Sequence, residues 1–185
     1  MTLPDGQLKD KILVWMDLEM TGLNPAHDKI IEIATIATDW QLNVISEGPE
    51  LAIHWPKELF DGMDQWCVDH HGASGLTQRC LNTQTTLAQA EAETLTWVKS
   101  LITKGESPLC GNSIHQDRRF LVGQMPELEE YFHYRNIDVS TVKELARRWY
   151  PELPSFKKAG KHTALEDIRE SIDELKHYQE KIFLP

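Results

Sequence analysis

Apolar and polar positions change period partway along the chain, from the alternation of strands to the three-to-four-residue spacing of helices. Ile12-Leu13-Val14-Trp15-Met16 is a short apolar run that predicts a central strand continuing through Asp17 to Glu19. Gly22, Asn24 and Pro25 then mark a turn. In residues 29–38, Ile31, Ile33, Thr35 and Ala37 alternate with Ile30, Glu32, Ala34 and Ile36, which predicts a second strand. A third fits residues 43–53, broken by Gly48 and Pro49. Three consecutive strands with short turns predict an antiparallel meander at the start. Helical spacing takes over afterwards, with short helices over 63–69 and 75–81 separated by Gly72. Residues 86–102 put Leu87, Ala90, Trp97, Val98 and Leu101 on one stripe. Residues 107–111 read as a short strand, 115–124 as a helix, and Pro126 suits the first turn of another. A strand over 137–139 and a helix over 141–150 follow. The chain closes on a long amphipathic helix over 163–183, with Leu165, Ile168, Ile172, Leu175 and Ile182 facing inward. Strands first, then helices interleaved with short strands, give an α/β class: a mixed sheet flanked by helices.

The length of 185 residues fits one domain with its own core, here residues 12–185 behind a short polar tail at 1–11. With 41% hydrophobic and 26% charged residues the chain falls among ordinary globular proteins. No stretch reaches the ~18 consecutive apolar residues of a membrane span. The tail lacks the apolar core of a signal peptide, so a cytoplasmic protein with no membrane partner is expected. Cys67, Cys80 and Cys110 are odd in number and form no C-x-x-C pair, which suits free structural thiols in a reducing compartment. The net charge of −10 and the lack of a Lys/Arg cluster argue against gripping a long polyanion along its backbone. A short substrate held in one pocket feels mainly local groups and bound metal ions, so acidity does not exclude it.

The sharpest chemical feature is Asp17-Leu18-Glu19. Residues two apart on a strand point to one face, so both carboxylates sit together at the end of an apolar strand. Burying like charges side by side is unfavourable unless cations compensate them. Taken alone, such a pair also reads as strand-end residues turned to water. Asp117, in Gly111-Asn112-Ser113-Ile114-His115-Gln116-Asp117-Arg118-Arg119-Phe120, also reads as an acid in a helix first turn. His162, before the last helix, also reads as a cap or surface residue, with Asp167 in that helix's second turn.

Together these segments resemble the DEDDh exonucleases, which share the ribonuclease-H-like fold, and within them the oligoribonuclease family. The resemblance runs over nearly the whole chain. It is carried by Trp15-Met16-Asp17-Leu18-Glu19-Met20-Thr21-Gly22-Leu23, Ile31-Glu32-Ile33-Ala34-Thr35, the 111–120 stretch, Met125-Pro126-Glu127-Leu128 and Tyr131-Phe132-His133-Tyr134-Arg135, then by Asp138-Val139-Ser140-Thr141, Lys143-Glu144-Leu145-Ala146-Arg147-Arg148-Trp149 and Asp167-Ile168-Arg169-Glu170-Ser171. His162, five residues before Asp167, matches the histidine that marks this branch. Two stretches depart from the pattern, the tail and residues 150–161, and His115 stands where a small residue is expected.

The resemblance implies a mixed five-stranded sheet with an antiparallel start and a 3′-to-5′ exoribonuclease that reduces short oligoribonucleotides, dinucleotides especially, to mononucleotides. It implies two divalent cations, Mg²⁺ or Mn²⁺, on Asp17, Glu19, Asp117 and Asp167, with His162 as general base. A histidine suits that role because its unperturbed pKa lies near neutrality. Ser113, Arg135, Ser140 and Thr141 would cap the 5′ phosphate, and Leu23 would wedge between two bases. Trp66 would stack on a base, with Leu18 and His71 also at the substrate. The resemblance also implies a homodimer, with Tyr134 serving both binding and catalysis across to the partner subunit. Without the resemblance, Trp66 and Tyr134 also read as core residues and Arg135 as a surface cation. The rival readings are a proofreading-type DNA exonuclease with the same metal site and a non-catalytic nucleic-acid-binding module.

Overall fold

The structure, a computed structural model, describes residues 12–157 and 163–183. The opening apolar run forms β1 (Leu13–Met20), which pairs antiparallel with β2 (Ile30–Thr38). β2 in turn pairs antiparallel with β3 (Val44–Ala52). On the other side of β1, β4 (Leu109–Gly111) and β5 (Asn136–Asp138) add in parallel, giving the order β3-β2-β1-β4-β5. The predicted mixed sheet with an antiparallel start is what forms. Every residue of β2 is buried, because helices cover both faces of the sheet there.

The helices among the described residues are α1 (Lys57–Asp61), α2 (Gln65–Ala73), α3 (Leu76–Asn82), α4 (Leu87–Leu101), α5 (Ile114–Gln124), α6 (Pro126–Glu129), α7 (Val139–Trp149) and α8 (Ala164–Lys181). One core joins Met16, Leu18 and Ile33 to Val98 of α4 and Phe120 of α5. A second, on the opposite face, joins Trp15, Ala34 and Ile36 to Ile168 and Ile172 of α8. Trp15 crosses between neighbouring strands, its indole N–H donating to Thr38 Oγ1 at 3.0 Å. Cys67, Cys80 and Cys110 are all free thiols and all buried.

Several boundaries differ from the sequence pattern, each for a local reason. β3 runs unbroken through Gly48 and Pro49, since an edge strand tolerates a missing donor and its pairing with β2 shifts register nearby. α2 continues past Gly72, and the chain breaks instead at Gly75, whose φ of 75° suits a residue without Cβ. α1 is too short to leave a periodic signature. α7 begins at Val139, not at 141, because the Asp138 side chain accepts the Ser140 N–H at 2.9 Å and starts the helix there. The tail at 1–11 lies outside the described residues.

The parallel contact of β1 with β4 brings the carboxylate end of β1 beside the start of α5. Gly111 makes that approach possible: a Cβ there would sit 2.8 Å from the Met16 carbonyl oxygen and 2.7 Å from Ile114 Cδ1. Gly111→Ala should therefore lower stability by about 1–3 kcal/mol, the usual range for overpacking. Urea unfolding followed by circular dichroism checks this, and an unchanged midpoint would mean the strands part freely.

Candidate metal centre and substrate cleft

Asp17 and Glu19 project from one face of β1, and the early turns of α8 deliver Asp167 to the same place. Carboxylate oxygens of Asp17, Glu19 and Asp167 all lie within 4.8 Å of one another. Asp117, in the first turn of α5, stands outside that tight trio. Its buried Oδ1 accepts the N–H of Leu18, the residue between Asp17 and Glu19, at 3.0 Å. His162 lies outside the described residues.

The electrostatics reflect the crowding. Burial pushes the Glu19 carboxyl up to about 8, and the charges of Glu32, Asp167 and Asp117 push the same way. Asp117 rises to about 7 through burial, against the pull of the Leu18 N–H. A cation with two charges beside these carboxylates would counter both shifts. The donors are all carboxylate oxygens, which fits a hard divalent ion such as Mg²⁺ or Mn²⁺ better than a soft one.

Beside the trio opens a cleft of about 640 Å³ whose lining includes Leu18, Leu23, Trp66 and His71. Leu23 (71% exposed) and Trp66 (66% exposed) stand in it as large apolar surfaces left in water, which rules out a core role for Trp66. Trp66 stacks on His70, one helical turn further along α2, with centroids 4.5 Å apart. The i,i+4 spacing of these two rings is the sequence signal for His70, which the sequence reading missed.

His71 is buried, and its Nε2 lies 2.9 Å from the Met20 carbonyl oxygen. A carbonyl only accepts, so Nε2 carries the proton. Burial pulls the ring below the ordinary histidine range. The ring is then neutral, and the 3.9 Å approach of its Nδ1 to Glu19 Oε2 is not an ion pair. That Nδ1 is buried with no hydrogen-bond partner among the described residues, an acceptor facing the acidic cluster.

Two of the residues expected to cap a phosphate, Ser113 and Ser140, meet elsewhere, at the β5–α7 junction. Asp138 Oδ1 accepts from the Ser113 N–H at 2.8 Å, the Ser140 N–H at 2.9 Å and the Ser140 hydroxyl at 2.6 Å. Thr141 follows on the exposed side of α7. His115 joins the same carboxylate, its Nδ1 3.2 Å from Asp138 Oδ2. Arg135 is exposed, 5.5 Å from the Tyr134 ring. Tyr134 is 75% exposed and stacks on His133, so it is no core residue. None of these side chains lines the cleft described above. Asp138, the hub, was read only as part of a motif; the Asp-x-Ser step at a helix start is the signal for it.

A family profile described as Exonuclease matches residues 14–175. The oligoribonuclease of Hydrogenovibrio crunogenus is 60% identical over 174 residues, covering 94% of this chain and 95% of that protein. The oligoribonucleases of Vibrio parahaemolyticus (58%, 94% and 97% covered) and Pseudomonas aeruginosa (59%, 91% and 94% covered) are similarly related. Among solved structures, a complex of E. coli exonuclease I with single-stranded DNA superimposes with a TM-score of 0.72 at 18% identity. Exonuclease I of Methylocaldum szegediense does so with a TM-score of 0.66 at 19% identity. The chain covers 41% of those two proteins, and 93% of it is matched in each, which shows a shared fold.

The raised Glu19 has a consequence for stability. Below its unfolded value near 4.5 the group is neutral in both states and folding is not penalised. As pH rises towards about 8, the unfolded chain ionises and the folded one resists, so metal-free stability falls across that window. Glu19→Gln should flatten the fall and raise the metal-free Tm at pH 8 by roughly 5 °C, at about 2–4 °C per kcal/mol. Thermal melts from pH 5 to 8 in a chelator check this; parallel curves for the two proteins would remove the strain from Glu19.

Proposed function

We infer the activity from kinship: this chain belongs to the exonuclease family and, within it, to the oligoribonucleases. It is a metal-dependent 3′-to-5′ exoribonuclease acting on short oligonucleotides. The observation that carries this reading is the meeting of Asp17, Glu19 and Asp167 beside an open cleft. A non-catalytic module would have no need of such a strained acidic trio.

Asp17, Glu19, Asp117 and Asp167 hold two divalent cations, Mg²⁺ or Mn²⁺. When bound, these supply charge to stabilise the attacking and leaving oxygens of the phosphodiester. His162 takes the proton from the attacking water. Leu23 wedges between two bases, Trp66 offers its free face for stacking, and Leu18 and His71 shape the floor. Ser113, Arg135, Ser140 and Thr141 enclose a 5′ phosphate, which limits the substrate to dinucleotides and other very short RNAs. The exposed Tyr134 reaches the reacting end from the second copy of a homodimer. Residues 12–185 act as one exonuclease domain in the cytoplasm. Among the described residues no helix is long and apolar enough to cross a membrane.

The deciding experiment compares turnover of a 5′-phosphorylated diribonucleotide with that of long single-stranded DNA. Faster turnover of the diribonucleotide is expected; preference for the DNA would favour the proofreading type of nuclease. Asp17→Ala should abolish hydrolysis without unfolding the protein, as followed by product chromatography and circular dichroism. Full activity in that variant would exclude Asp17 as a metal ligand. Arg135→Ala should raise KM for the 5′-phosphorylated dinucleotide by about tenfold or more, the scale of a charge-assisted hydrogen bond. Its effect on the unphosphorylated dinucleotide should be small, and equal losses on both would place the phosphate elsewhere.

A further inference from the structure

Ser113 closes the turn between β4 and α5 with φ 57° and ψ 29°, in the left-handed region. A side chain is disfavoured there, so a serine keeps that backbone only where its surroundings impose it. Serine at a helix start usually spends its hydroxyl on the helix's own N–H groups. Ser113 makes no such capping bond, so its hydroxyl is not committed to α5.

Two carboxylates from different elements impose the turn. Asp138 Oδ1 takes the Ser113 N–H at 2.8 Å. Glu174, on α8, takes the side chain of the preceding residue: Asn112 Nδ2 donates to Glu174 Oε2 at 3.3 Å. A carboxylate only accepts, which fixes the Asn112 amide with its nitrogen towards Glu174. Glu174 is 1% exposed, so protein groups must satisfy its charge. Its Oε1 accepts the Tyr178 hydroxyl at 2.9 Å and lies 3.4 Å from Lys143 Nζ of α7. One buried side chain thus joins the helix that carries Asp167 to the turn that presents Ser113, and both to the helix that begins with Ser140 and Thr141.

We propose that Glu174, acting through Asn112, is a positioning residue for recognition of the substrate's 5′ end, holding the β4–α5 turn in the conformation that presents the Ser113 hydroxyl. This rests on the reading of Ser113 as part of the 5′-phosphate cap. Asp117, in the first turn of α5, has an anchor of its own in the Leu18 N–H, so loosening the turn leaves the acidic cluster in place.

The readout is the ratio of KM for an unphosphorylated diribonucleotide to KM for its 5′-phosphorylated form, with kcat on both and Tm beside them. Asn112→Ala removes the donor and should lower the ratio by about fivefold, short of the roughly tenfold scale of a direct hydrogen bond to a charge. Its kcat should stay within about threefold of the parent, because the transition-state groups do not move. Asn112→Asp sets one carboxylate against another and should lower the ratio at least as far. In the double variant Asn112→Asp/Glu174→Gln, donor and acceptor trade places. The new amide nitrogen donates to the new carboxylate, its oxygen still accepts from Tyr178, and the half-exposed Lys143 turns to water. The ratio should then return to within about twofold of the parent, as expected for directly coupled positions. A loss that persists in the double variant overturns the proposal. So does an Asn112→Ala protein whose Tm falls while its ratio holds, the behaviour of a merely structural bond. Ser113→Ala separates the two layers of the reading. If it leaves the ratio unchanged, the phosphate cap is elsewhere and the proposal falls with it; if it lowers the ratio and Asn112→Ala does not, the proposal alone fails.

Discussion

Repulsion among carboxylates that the fold forces together is the constraint on which the rest of this molecule depends. Asp17, Glu19 and Asp167 have oxygens within 4.8 Å of one another, and Asp117 presses against the backbone between the first two. No arrangement of a protein alone makes that comfortable, since burial and like charge both favour protons over anions. The surrounding structure resists the spreading of these groups. β1 lies at the centre of the sheet, α5 is packed onto it through Phe120, and α8 is packed on the other face through Ile168 and Ile172. The strain is local and opposite in sign to that of a divalent ion, so the frame is shaped for a partner it does not itself contain.

How much of this was legible in the sequence depends on the range of the interaction. The strand carrying Asp17 and Glu19 was readable because a period of two is a local property. The placement of β2 followed from its apolar alternation, and its complete burial from helices on both sides. Asp117 and Asp167 were joined to the first pair only through resemblance, since nothing local brings together residues so far apart in the chain. Boundaries failed where a neighbour overrode local preference. Gly48 and Pro49 do not interrupt β3 because an edge strand loses little by them, and Gly72 does not end α2 because Gly75 does. The tautomer of His71 was not readable at all; it follows from one carbonyl, that of Met20, which the fold brings to it.

Two side-chain clusters joined by α5 are built by different logic. The cleft beside the acids is apolar and open, with Leu23 and Trp66 exposed on it. The cluster around Asp138 is polar and preordered, with Ser113 and Ser140 already anchored by its carboxylate and His115 drawn to its other oxygen. α5 connects them, since Ser113 precedes its first residue and Asp117 sits in its first turn. A rigid link of this kind turns the distance between the two parts into a fixed length, which a flexible loop would not do. The net charge of −10 then works with the geometry, discouraging polyanions that extend beyond the site.

Cys67 borders the cleft, and burial together with the nearby Asp64 pushes its thiol up to about 11. Cys80 is raised to about 11 and Cys110 higher still, both by burial. At neutral pH none of the three is a thiolate, the form that electrophiles and peroxides attack. The sulfur nearest the acids is thus chemically quiet, and alkylating reagents or oxidative bursts that silence enzymes with activated thiols have no ready handle here.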